Sequence, residues 1–221
     1  MKRLGKLLDH VGSASNELAT ELRTQDCTAV ERPHKGKKVG PPLFGGRLAA
    51  QALKEQGVRF VFTLTGGWLH CETFTKFQQK KKKKIVIDVR DEVTTVFAAD
   101  AQARVSGIPG VAIVTAGPGL TNTITAVKNA QMAESPVVVF GGATSMLLKG
   151  RGSLQDINQF ALMKPHTKWC HSIKQVKEII PTIRKAFHIA KSGVPGPVFI
   201  EWPLETIWPR EMMSDLTAKD E

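Results

Sequence analysis

Cysteine is scarce in this chain. Its three residues, Cys27, Cys71 and Cys170, are odd in number and widely spaced. That pattern excludes a disulfide framework and a four-cysteine zinc module, and it makes a reducing compartment the default. His166, Cys170 and His171 lie close together but lack a second ligand pair, so they are not read as a zinc site. No apolar run approaches the length of a membrane span. The basic start MKRLGKLLDH is not followed by an apolar stretch, so it is not read as a secretory signal. The GxxxxGK[ST] order of a P-loop and the GxGxxG order of a dinucleotide fingerprint are both missing. No Ser, His and Asp set carries a nucleophile elbow, and the adjacent His70 and Cys71 are poorly placed to act as nucleophile and base.

What is abundant is positive charge, +11 over 221 residues. Its location argues against a dedicated nucleic-acid function. Residues 45–84 hold nine Lys or Arg and two acids, a net +7, and Lys80 to Lys84 form one block. A lysine homopolymer without interleaved aromatics reads as a solvated loop or insert, able to attract polyanions in a salt-dependent way. No recognition motif accompanies it.

Residues 1–44 show no sustained period and end in HKGKKVGPPLFGG, which reads as a disordered or linker-like arm. Order begins at residue 45. Leu48, Ala49, Ala52 and Leu53 share a helical face, and Gly57 is a natural stop. Residues 59–64 and 85–89 are short apolar runs that read as strands. Between them, residues 68–84 show no apolar stripe where a crossover helix is expected. A helix follows over 91–106, with Val93, Val96, Phe97, Asp100 and Ala101 near helical spacing and Gly107 at its end. A strand is expected over 110–115, a helix over 121–133 and a strand over 136–142. A polar stretch without periodicity comes next. Residues 175–191 read as a helix kinked or broken near Pro181, and residues 195–203 give the last strand. The charged tail, 210–221, reads as disordered. Strands that are continuously apolar and alternate with helices indicate an α/β fold, a parallel β-sheet flanked by helices on both faces.

Ligands of such sheets bind outside the carboxyl ends of the strands. Thr65, Glu92, the 116–120 segment and the 141–143 segment all fall at those ends. Glu92, in the first turn of its helix, has two readings. It is either a carboxylate favoured there by the helix dipole, or an acid that bonds a heterocyclic nitrogen in an apolar pocket, where burial favours the protonated form. AGPGLTN, residues 116–122, is either a tight turn or a place where backbone approaches a flat ligand, with Thr121 capping the next helix and Asn122 offering a polar contact. Gln155, Asp156 and Gln159, in LQDINQ, read by default as surface polarity.

Taken together, GGRLAAQALKEQGVRFVFTLTGG, DVRDEVTTVFAADAQARVSG, GVAIVTAGPGLTNTITAVKNAQMAESPVVVFGG, LLKGRGSLQDINQFALMKPHTKW and SGVPGPVFIEWPLETIWP resemble the N-terminal, pyrimidine-binding domain of thiamine-diphosphate enzymes, in the acetolactate synthase-like and 2-hydroxyacyl-CoA lyase branch. The resemblance covers residues 45–67 and 85–209. It implies thiamine pyrophosphate binding with magnesium, and carbon–carbon bond making or breaking beside a carbonyl in 2-hydroxyacyl or 2-oxo acid substrates, a lyase or transferase chemistry. It implies a site shared between paired subunits of a homodimer or tetramer, and FAD in some full-length members. Glu92 matches the glutamate that bonds the aminopyrimidine ring. Gly66, Gly67, Gly117, Pro118, Gly119, Thr121 and Asn122 match the loops beside that ring, and Gln155 matches a glutamine lining the active site.

The departures from the pattern carry expectations of their own. Asp91 stands where the family usually has His. Residues 68–84 replace a regular apolar helix, and residues 16–44 look inserted. No GDG motif followed by a metal-binding Asn occurs, so the diphosphate and its metal are expected to be held elsewhere, and no metal ligand is assigned in this chain. The expectation is a truncated or alternatively spliced product, or an imperfect gene model, inactive alone; the alternatives are a non-catalytic fragment that pairs with a full-length paralogue, or a basic polyanion-binding protein. Each large apolar side chain missing from the crossover would forgo about 1.5–3 kcal/mol of burial, against a typical net stability of about 5–15 kcal/mol. The chain reads as soluble and cytoplasmic, with the endoplasmic reticulum membrane as the alternative, since close relatives begin with a membrane anchor.

Overall fold

The computed structural model describes residues 45–64, 66 and 85–207. The expected arm at 1–44, Thr65, Gly67, the 68–84 insert and the 210–221 tail lie outside them.

Six strands form one sheet: β1 (Phe60–Leu64), β2 (Ile85–Asp88), β3 (Gly110–Val114), β4 (Val137–Ala143), β5 (Cys170–Ser172) and β6 (Val198–Pro203). The order is β2-β1-β3-β4-β6-β5, and every pairing is parallel. β3, β4 and β6 are buried along their whole length, which is why their sequences are continuously apolar. Alternate residues supply two separate cores. Val111, Ile113, Val138, Phe140, Ile200 and Trp202 pack with α1 (Gly45–Glu55) and the later helix Ile179–Lys191, through Leu53, Ile183 and Phe187. Ala112, Val114, Val139 and Phe199 pack with α2 (Glu92–Ser106) and the helix Ile124–Met132, through Val96, Ala99, Val127 and Ala130.

The strand order has a switch point between β1 and β3. The chain leaves β1 for β2 on one side of the sheet, returns through α2 to β3 on the other side of β1, and then moves away to β4. Connections therefore leave the carboxyl ends of β1 and β3 in opposite directions, the arrangement that receives ligands in open parallel sheets.

Several expectations are corrected. The helix expected over 121–133 is two helices, α3 (Pro118–Thr121) and α4 (Ile124–Met132). Pro118, pre-set for a first helical turn, starts the segment earlier. Thr121 is not an N-cap: its hydroxyl donates back to Pro118 O at 2.9 Å. On α2 the buried residues are Thr95, Val96, Ala99, Asp100 and Ala103, while Phe97 is 41% exposed. The buried Asp100 carboxylate is accommodated because Arg104 donates to it at 2.8 and 2.7 Å and Asn129 at 3.3 Å. The polar stretch after β4 ends in α5 (Gln159–Met163). The segment expected as a helix over 175–191 is interrupted near Pro181: a 3₁₀ turn, Val176–Glu178, gives way to α6 (Ile179–Lys191), and Pro181 sits in the first α-helical turn, where its missing amide costs no helical bond. The edge strand β5 and the short α7 (Leu204–Ile207) had no sequence expectation.

Candidate functional site

Asp91 caps α2: its Oδ1 accepts from Val93 N at 2.9 Å. The cap fixes where the helix begins, and Glu92 is its first residue. Glu92 stands opposite the turn that follows β3. Its Oε2 accepts from Asn122 Nδ2 at 3.0 Å, and its Oε1 faces Gly119.

The glycines of this region are packed as a cradle. A Cβ on Gly119 would lie 2.6 Å from Thr115 Cγ2 and 3.4 Å from Glu92 Oε1. A Cβ on Gly66, just past β1, would lie 2.8 Å from Thr115 Oγ1. Gly117 has φ 61° and ψ −115°. A Cβ there would come within 2.9 Å of Gln155 O and 3.0 Å of Gln155 Cα and Cβ. Gln155 itself adopts φ 63°, an unusual conformation for a residue with a side chain. Thr115 Oγ1 and Gln155 Oε1 are 3.5 Å apart.

Of the residues expected from sequence, the structure therefore brings Gly66, Glu92, Gly117, Gly119, Asn122 and Gln155 together around Thr115. Pro118 starts α3 within the same turn. Thr121 is exposed and bonded to its own turn, away from the group. Gly67 lies outside the described residues.

Three side chains were missed. Thr115 is the contact point of the cradle. Gln159, expected at the surface, is 2% exposed. Its Nε2 donates to Gly142 O at 3.0 Å and to Glu201 Oε1 at 3.1 Å, and its Oε1 accepts from Gly117 N at 3.4 Å. Glu201, also 2% exposed, places Oε2 3.5 Å from Lys149 Nζ. The available signal for Glu201 was a charged residue inside the apolar run VFIEWP. Gln159 had none beyond its four-residue spacing from Gln155.

Away from this group, burial pushes the Cys170 thiol up, with the Thr167 hydroxyl 3.0 Å away working in the opposite direction. Burial also lowers His171, which stacks on Trp169 at 5.1 Å. Among the described residues no three His, Cys, Asp or Glu side chains are grouped to hold a metal ion. No helix among them is long and apolar enough to cross a membrane.

A flat ring suits this site. Thr115 and Gln155 occupy the space that β-carbons at Gly66, Gly117 and Gly119 would need, and a carboxylate with one oxygen not engaged by Asn122 can meet a ring nitrogen. The thiamine pyrophosphate enzyme N-terminal TPP binding domain matches residues 44–162, more than half of the chain. The chain belongs to this thiamine pyrophosphate enzyme family. It is 57% identical over 176 residues to 2-hydroxyacyl-CoA lyase 2 of Danio rerio, covering 80% of this chain and 28% of that protein. Against 2-hydroxyacyl-CoA lyase 2 of Homo sapiens it is 53% identical over 169 residues, covering 76% and 26%. A more distant likeness, 36% over 164 residues, joins it to the acetolactate synthase large subunit of Mycobacterium tuberculosis, covering 74% and 29%. The chain thus spans little more than a quarter of the length of these relatives.

Proposed function

We propose that this chain supplies the pyrimidine half of a thiamine-diphosphate site, with Glu92 bonding the aminopyrimidine ring, Gly66, Gly117 and Gly119 lying against it, and Gln155 facing the substrate. The observation that carries the reading is the convergence of Glu92, Asn122 and the glycine cradle at the sheet's switch point. When bound, thiamine diphosphate supplies a nucleophilic carbon that adds to a carbonyl and allows the adjacent carbon–carbon bond to break or form. Glu92 holds or gives a proton at the ring nitrogen. Asn122 orients its carboxylate, and the close-packed backbone keeps water from the ring face. The substrates are 2-hydroxyacyl or 2-oxo acid compounds in a lyase or transferase reaction, a reading supported by relatives named 2-hydroxyacyl-CoA lyase and acetolactate synthase.

In this reading the diphosphate, its magnesium and any FAD are held by other domains, and the site is completed by a paired subunit. Exposed Met146, Leu147, Leu148 and Leu154, in the segment after β4 at the same end of the sheet, favour such a docking partner. A half-site binds weakly, so the expected result is roughly millimolar affinity of the full chain for thiamine diphosphate with magnesium. The test is a residue-resolved NMR titration. Saturable shifts should concentrate at Glu92, Gly117, Gly119, Asn122 and Gln155 and vanish in Glu92→Ala. Shifts confined to other residues, or none, would refute the reading.

A further inference from the structure

The Gln159 side chain uses its hydrogen-bonding capacity on three different structural elements. It donates to Gly142 O at the end of β4 and to Glu201 on β6, and it accepts from Gly117 N in the turn after β3. Only an amide can donate twice and accept once in this way. A carboxylate would face both Glu201 and a carbonyl with no donor. An aliphatic side chain would leave a buried N–H, a carbonyl and a carboxylate oxygen short of a partner, which costs more than the bonds themselves contribute. Behind Gln159, the buried Glu201 is anchored by the half-exposed Lys149. Gly117 is the residue whose backbone lies against Gln155 with no room for a β-carbon. The position of the Gly117 turn therefore depends on where Gln159 holds it, measured from two neighbouring strands.

We propose that Gln159 is a positioning residue for this site: its buried amide ties the Gly117 turn to the ends of β4 and β6 and so sets how closely the turn's backbone approaches a bound ring. The effect on ligand affinity rests on the reading that the turn receives the aminopyrimidine, whereas the effect on the turn does not.

The experiment compares the full chain with Gln159→Met, close in volume, by hydrogen exchange resolved at single amides. Ala112, in the middle of β3, reports global stability. The expected result is that the Gly117 amide exchanges roughly tenfold faster in the variant after correction for any change at Ala112, and that thiamine diphosphate affinity falls by a similar factor. Glu201→Gln keeps an acceptor for Gln159, so protection at Gly117 should stay within about twofold of the unmodified chain. Should Gln159→Met fail to fold, Gln159→Met combined with Glu201→Met, which removes the buried carboxylate left without a donor and still gives Gly117 N no acceptor, takes its place with the same expectation. Exchange at Gly117 that changes only in parallel with Ala112 would overturn the proposal and leave Gln159 an ordinary buried residue. If the unmodified chain does not bind thiamine diphosphate, the functional reading fails, while the exchange at Gly117 still decides the positioning role.

Discussion

Three glycines separate backbone strain from close packing, and alanine substitution at each should cost a different amount. Gly107 ends α2 with φ 71°, and nothing lies within 4 Å of the Cβ it lacks. Gly107→Ala therefore tests conformation alone and should cost about 1 kcal/mol, the lower end of the left-handed penalty for an L-residue. For Gly119 no left-handed φ arises, but a new methyl would sit 2.6 Å from Thr115 Cγ2. Gly119→Ala tests packing alone, at about 1–3 kcal/mol, because the buried Thr115 methyl has to shift to admit it. Gly117 combines φ 61° with contacts of 2.9 to 3.0 Å to Gln155, two of them to backbone atoms that no rotamer change can move. The two penalties should add to about 2–5 kcal/mol in Gly117→Ala, a large part of a typical stability of about 5–15 kcal/mol. The assay is equilibrium unfolding in urea, comparing midpoints at unchanged slope. A Gly117→Ala variant no less stable than Gly107→Ala would mean that Gln155 does not lie against the turn, and the close approach inferred for the site would be wrong.

Other consequences can be checked with simpler variants. Burial pushes the Asp100 carboxyl up, but the Arg104 guanidinium and Asn129 more than offset it and hold the group below the usual carboxylate range. Its stabilisation is then present above the unfolded value of about 3.9 and lost as pH falls through the lower folded value. The unmodified chain should lose more Tm than Asp100→Asn between about pH 5 and about pH 3, and equal slopes would refute this. With its thiol pushed up by burial, Cys170 should be alkylated more slowly than glutathione at about pH 8, as read by mass spectrometry of its peptide. Phe187 is 2% exposed in the α6 core, so Phe187→Ala should cost about 3–5 kcal/mol. A urea midpoint shift equivalent to less than about 1 kcal/mol would show that this core is not packed as described.

The parts of the fold that sequence revealed are those fixed by local chemistry. β3, β4 and β6 were visible as continuous apolar runs because each is buried along its length. The extent of α2 was visible because Asp91 can cap and Gly107 can adopt a left-handed turn. Glu92 and the 116–122 turn could be placed together because parallel topology sends all carboxyl ends to one edge. What stayed hidden depends on distant partners. Asp100 takes a buried place that an apolar residue would be expected to hold because Asn129, 29 residues on, helps to satisfy it. Gln159 is buried through bonds to Gly117 and Glu201, each 42 residues away, and nothing local distinguishes it from a surface glutamine. β5 is three half-buried residues paired only to β6, too short for any period to register.

Asp91 fits the geometry of the site in a specific way. A glutamate at the first position of a helix is only as well placed as the helix start itself, and an uncapped start frays. Asp91 Oδ1 on Val93 N prevents that, and Asp is among the strongest capping residues. Glu92 is then held from the other side by Asn122, which belongs to the turn after β3 rather than to α2. The two oxygens of the carboxylate are therefore inequivalent before any ligand arrives: Oε2 is engaged by Asn122, and Oε1 is turned to Gly119. Oε1 lies 3.4 Å from where a β-carbon on Gly119 would stand, and Gly119 is itself packed against Thr115. Strand ends, a capped helix and a glycine turn thus act together, and each constrains the position of the same oxygen.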